Sequence, residues 1–62
     1  MSFRVYESAG KHYVSIRTSS VFRRLEVTEQ EASVPWTGAT IAQALNAARA
    51  AGSPKYYEVE RK

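Results

Sequence analysis

Few side chains in this sequence could carry covalent chemistry. The single imidazole is His12, and the chain has neither cysteine nor aspartate. A nucleophile–base pair would have to set a serine or threonine beside His12, with no aspartate to orient the ring. Acid–base chemistry would draw on Glu7, Glu26, Glu58 or Glu60. All four fall in segments that read as solvent-facing strands, without the pocket that shifts a pKa. A structural metal needs about four converging ligands, and no such cluster is visible. The glycines (Gly10, Gly38 and Gly52) lie too far apart for a phosphate-cradling loop. A chain of 62 residues also has little room to enclose a substrate cavity of about 300 Å³. The expectation is a non-enzymatic protein with no cofactor and no metal.

Binding chemistry is better represented. Arginines outnumber lysines six to three, and four tyrosines are spread through the chain. Nine basic residues against six glutamates give a net charge of +3 and a pI near 9.6. That balance favours solubility and weak attraction to polyanions. Where the arginines and tyrosines lie relative to one another depends on the elements that carry them.

Residues 3–7 and 12–18 are rich in aromatic and β-branched types and alternate apolar with polar, as strands with one buried face do. Ser8, Ala9, Gly10 and Lys11 between them read as the turn of a hairpin. Ser19 and Ser20 then separate a third run, residues 21–27, so residues 3–27 read as a three-stranded meander. Thr28 followed by Glu31 has the form of a capping box and opens one or two helical turns that Pro35 must stop. A longer helix starts near Thr37 or Thr40 and runs through the alanine-rich stretch 41–51. Ile41, Ala44, Leu45, Ala48 and Ala51 share one face of it, a small-residue stripe suited to close packing on a sheet. Gly52 and Pro54 specify its end. Residues 55–61 alternate again and read as a fourth strand. The expectation is one α+β domain over residues 1–62 with element order βββαβ, in two layers, the helix on one face of the sheet.

Alternation then divides the strand residues between two faces. Phe3, Val5, Val14, Ile16, Leu25, Val27, Tyr57 and Val59 form the expected helix-covered set. Arg4, Tyr6, Tyr13, Ser15, Arg17, Phe22, Arg24, Glu26, Tyr56, Glu58 and Glu60 form the expected open face. On this assignment three arginines meet three glutamates, so the open face is close to charge-neutral. Arg–Glu pairs interleaved with tyrosines are also what an ordinary solvated sheet face carries.

The binding residues expected from the sequence are Arg4, Tyr6, Tyr13, Arg17, Phe22, Arg24, Tyr56 and Trp36. Trp36, beside Pro35 ahead of the helix, either plugs the open end of the core or stands out as an anchor for a partner pocket. Tyr and Arg are enriched at protein–protein hot spots, and phosphate binding favours surfaces poor in carboxylates. The leading expectation is therefore a protein-binding module, an inhibitor or adaptor docking on a larger protein or complex. The alternative is a small basic DNA- or RNA-binding protein that uses the Tyr/Arg face or a basic edge. Exposed strand edges make a homodimer a further option. No apolar run reaches the length of a signal peptide or a membrane span, so the expected setting is cytoplasmic, without a membrane partner.

Overall fold

The computed structural model describes residues 1–61. Its elements are β1 (Ser2–Ser8), β2 (Lys11–Arg17), β3 (Val21–Val27), α1 (Glu29–Ala32), α2 (Gly38–Ala51) and β4 (Tyr56–Glu60). The four strands form one antiparallel sheet in the order β1-β2-β3-β4, and the helices lie on one side of it. The α+β, βββαβ architecture is the expected one. No helix among the described residues is long and apolar enough to cross a membrane.

Each boundary has a local cause. The β1–β2 loop is only Ala9 and Gly10, both with positive φ, at 54° and 78°. Two positive φ values are what the right-handed twist of a tight hairpin requires. The strands consequently extend one residue further toward the turn than the apolar alternation alone implies. Thr28 caps α1 through a reciprocal box: its hydroxyl accepts from the Glu31 N–H at 3.0 Å, and the Glu31 carboxylate accepts from the Thr28 N–H at 2.9 Å. The two candidate starts of the long helix share one device. Thr37 is the N-cap of α2, and Thr40, three residues on, accepts from the Thr37 N–H at 2.8 Å. Gly52, with φ of 67°, closes α2 in the left-handed conformation that glycine adopts most readily.

Val14 and Ile16 from β2, Val27 from β3, and Ile41 and Leu45 from α2 make up the buried core. Each such side chain contributes about 1.5–3 kcal/mol on burial, so five of them make a thin core. Trp36 is half-buried against its edge, and the indole N–H donates to the Glu31 carbonyl at 2.9 Å. It therefore joins the α1–α2 connection to the core. Phe3 and Val5 lie on the helix side as expected but remain 40% and 41% exposed, because α2 packs on β2, β3 and β4 and leaves β1 largely uncovered.

One expected assignment is overturned. Arg23 pairs with Glu58, Arg24 with Tyr57 and Leu25 with Tyr56, and directly paired residues of an antiparallel ladder share a face. Tyr56, Glu58 and Glu60 are therefore on the helix side, while Tyr57 and Val59 are on the open face. The reason is polar matching beneath the flank of α2. Arg23 points under the helix, its side chain only 13% exposed. It donates to the Tyr56 hydroxyl and to Asn46 Oδ1, both at 2.8 Å. The Tyr56 hydroxyl in turn donates to Glu58, and Arg49 approaches Glu58 to 3.8 Å. An arginine in this place demands polar partners on β4. Val59 in the same position would leave it without them.

Candidate functional site

The corrected register organises the open face into three cross-strand rows. Tyr6, Tyr13 and Glu26 form the first, and Arg4, Ser15, Arg24 and Tyr57 the second. Ser2, Arg17, Phe22 and Val59 form the third. Seven of the eight expected binding residues are on strands. Six of these (Arg4, Tyr6, Tyr13, Arg17, Phe22 and Arg24) come together on this face. Tyr56 does not, being part of the network under α2, and Trp36 sits apart at the core edge. Tyr57, Val59, Lys11 and Arg61 belong to the face but were not expected there. Only the pairing of β4 with β3 could have revealed the first two.

The aromatic rings order the arginines. Tyr6 and Tyr13 stack with centroids 5.3 Å apart and an interplanar angle of 27°. The Arg4 guanidinium carbon lies 5.2 Å from the Tyr6 ring centre. Arg24 lies between two strands' rings, 4.6 Å from Tyr13 and 4.9 Å from Tyr57. Phe22 meets Tyr57 edge-on at 6.4 Å. A guanidinium packed on a ring face is attracted by the ring quadrupole and keeps its in-plane N–H groups free to donate. Arg4 and Arg24 are thus packed on rings with N–H groups available to donate.

The electrostatics follow from the rows. Lys11 and Arg61 join Arg4, Arg17 and Arg24 on this side, Lys11 as the pair of Ser8 at the end of the ladder and Arg61 at its opposite corner. Against these five cations stands one carboxylate, Glu26, and Lys11 lies 3.9 Å from it. Among the described residues Arg4, Arg17 and Arg24 make no ion pair. The other glutamates are elsewhere: Glu29 and Glu31 on α1, Glu58 and Glu60 on the helix side of β4, and Glu7 on the helix side of β1. The expected neutrality of the face is thereby corrected. The pairing of Arg24 with Tyr57 puts Glu58 and Glu60 on the other side of the sheet.

Between the second and third rows the surface sinks into a hollow of about 340 Å³. Ser15 is its floor, only 2% exposed despite pointing to the open side, because every neighbour in its row and beside it on β2 is larger. Arg4 on β1, Arg17 on β2, Phe22 on β3, Val59 on β4 and Arg61 just past β4 line it across the width of the sheet. Arg61 is fixed there by its backbone N–H to the Ser20 carbonyl at 2.8 Å and its guanidinium to the Thr18 carbonyl at 3.0 Å. Comparison of the chain with protein-family models, with curated proteins and with solved structures finds no match.

Proposed function

We propose that this protein binds nucleic acid through the open face of its sheet and acts by binding alone. The observation that carries this reading is the segregation of charge: five cations share the face with one carboxylate, which is already taken by Lys11. Affinity for a polynucleotide comes largely from releasing counterions as phosphates are neutralised, so a face that concentrates cations and excludes carboxylates is suited to it. Arginines held on tyrosine rings add fixed donors that phosphate oxygens accept from. The cations left after Lys11 pairs with Glu26 also repel each other in the free protein, and a bound polyanion relieves that repulsion.

The test is fluorescence anisotropy of labelled single- and double-stranded DNA and RNA, at low and at moderate salt. The reading expects a Kd below about 10 µM that weakens steeply with salt. A flat salt response, or no binding, removes it. A protein partner is the second reading, and one observation favours it: Tyr57 and Val59 are 46% and 41% exposed beside the arginines, a combination of types found at interface hot spots. Pull-down of a partner whose binding is lost on Tyr57→Ala, from a chain that ignores oligonucleotides, is the outcome that would select it.

A further inference from the structure

We infer that the hollow over Ser15 seats one nucleotide of a single strand, its phosphate among Arg4, Arg17 and Arg61 and its base against Phe22 and Val59. This rests on the nucleic-acid reading of the same face and narrows it to a substrate class and a subsite.

Sheet dimensions argue against duplex. Four strands spaced about 4.8 Å put the outer two about 14 Å apart, already wider than the B-DNA major groove of about 12 Å, which takes one helix or a two-stranded ribbon. The groove would therefore have to admit a face broader than itself. A single strand needs no groove and can lie across the rows.

The tyrosine ladder is not where a base stacks. Tyr13 has Tyr6 on its β1 side at 5.3 Å and Arg24 on its β3 side at 4.6 Å, so both ring faces are occupied. Free space lies one row further along, where Ser15 is the smallest side chain among large ones. The hollow that it helps line, about 340 Å³, is at the lower end of the small-ligand range of about 300–1,000 Å³. Its lining combines two chemistries. Arg4, Arg17 and Arg61 bring guanidiniums to it, Arg4 and Arg17 without a carboxylate partner among the described residues. Phe22 and the half-exposed Val59 bring an aromatic ring and an aliphatic surface. A phosphate joined to a flat apolar base presents that same combination, which an acidic peptide side chain does not.

Two variants separate the subsite from the general attraction of the face. Ser15→Val fills the floor without changing charge, and a β-branched residue suits a strand. Arg17→Gln removes one donor from an exposed strand end that contributes nothing to the core. Each is titrated against the wild type with a labelled single-stranded oligonucleotide, as DNA and as RNA, and with the matching duplex. Ser15→Val is expected to weaken single-strand binding about tenfold with the salt slope unchanged, the loss expected for one stacked base. Arg17→Gln is expected to weaken it and lower the slope by about 0.7, one phosphate contact on a single strand. The wild type is expected to prefer the single strand to the duplex. If both variants bind the single strand as the wild type does, the subsite is refuted while the nucleic-acid reading stands. Equal or tighter duplex binding refutes the single-strand assignment in the same way. If the wild type binds no oligonucleotide, the reading and the inference fall together. Circular dichroism establishes that Ser15→Val is folded, and if it is not, Arg17→Gln decides.

Discussion

Arg24 stands opposite Tyr57 across the β3–β4 ladder, and its guanidinium carbon lies 4.9 Å from the centre of that ring. This one pairing fixes the phase of β4 and, with it, the character of both faces. It takes Glu58 and Glu60 away from the arginines of the open side and gives Arg23 the polar company it needs beneath α2.

Arg24→Gln should therefore lower the salt slope of oligonucleotide binding by about 0.7–0.9, as one lost phosphate contact does. Arg24→Glu should weaken binding further, since it repels the strand as well. Both substitutions are on a solvated face, and thermal melting should show the fold retained. An unchanged slope in both variants would mean that Arg24 touches no phosphate.

Adjacent tyrosines should respond oppositely. Tyr56→Phe removes the hydroxyl that accepts from Arg23 and donates to Glu58, leaving a nearly buried guanidinium short of one partner. Loss of stability by about 1–3 kcal/mol is expected in urea melts, with oligonucleotide affinity unchanged. Tyr57→Ala should do the reverse, weakening binding while costing little stability, because the ring is 46% exposed. Equal effects from the two would contradict the phase of β4.

Much of the fold was legible because its determinants are local. The capping boxes at Thr28–Glu31 and Thr37–Thr40 close within four residues, and Gly52 and Pro54 act where they stand. Alternation located the strands for the same reason. It could not phase β4, since Tyr56 and Tyr57 are equally able to face inward or outward. The deciding contacts, Arg23 with Tyr56 and Asn46, are 33 and 23 residues apart in sequence. A buried-side arginine on β3 and the Asn46/Arg49 flank of α2 were the signals, and both needed the helix placed first. Six of the expected residues, all on β1–β3, therefore share the open face as read from alternation, whereas the charge of that face was not legible.

The β1–β2 loop is suboptimal in one respect. Ala9 has φ of 54°, where a Cβ crowds the following carbonyl at a cost of about 1–2 kcal/mol. Ala9→Asn, a residue favoured at the first position of such a loop, should raise stability by about 0.5–1 kcal/mol. Ala9→Val should lower it. Urea denaturation midpoints measure both, and an Asn variant no more stable than the parent would show that the turn is not in this conformation.

Acid should act first at α1. The hydrogen bonds from the Thr28 backbone and side chain hold the Glu31 carboxyl below its ordinary value of 4.5. A carboxylate whose pKa is lowered by folding adds stability that is complete above the unfolded value and is lost as pH falls through the folded one. The contribution of Glu31 is therefore full at neutral pH and disappears below 4.5. Trp36 can report this loss, because its indole N–H is bonded to the carbonyl of the same Glu31. The wild type should show a shift of tryptophan emission to longer wavelength in that acid range, ahead of global unfolding followed by circular dichroism. Thr28→Ala removes only the hydroxyl half of the box and keeps the residue-28 N–H on the Glu31 carboxylate, so its emission should be shifted part of the way at neutral pH and complete the shift with acid. Direct titration of the Glu31 side chain by NMR should give a midpoint below 4.5. A midpoint at or above that value, or an emission change that coincides with global unfolding in both proteins, would show that the cap does not control the α1–Trp36 connection.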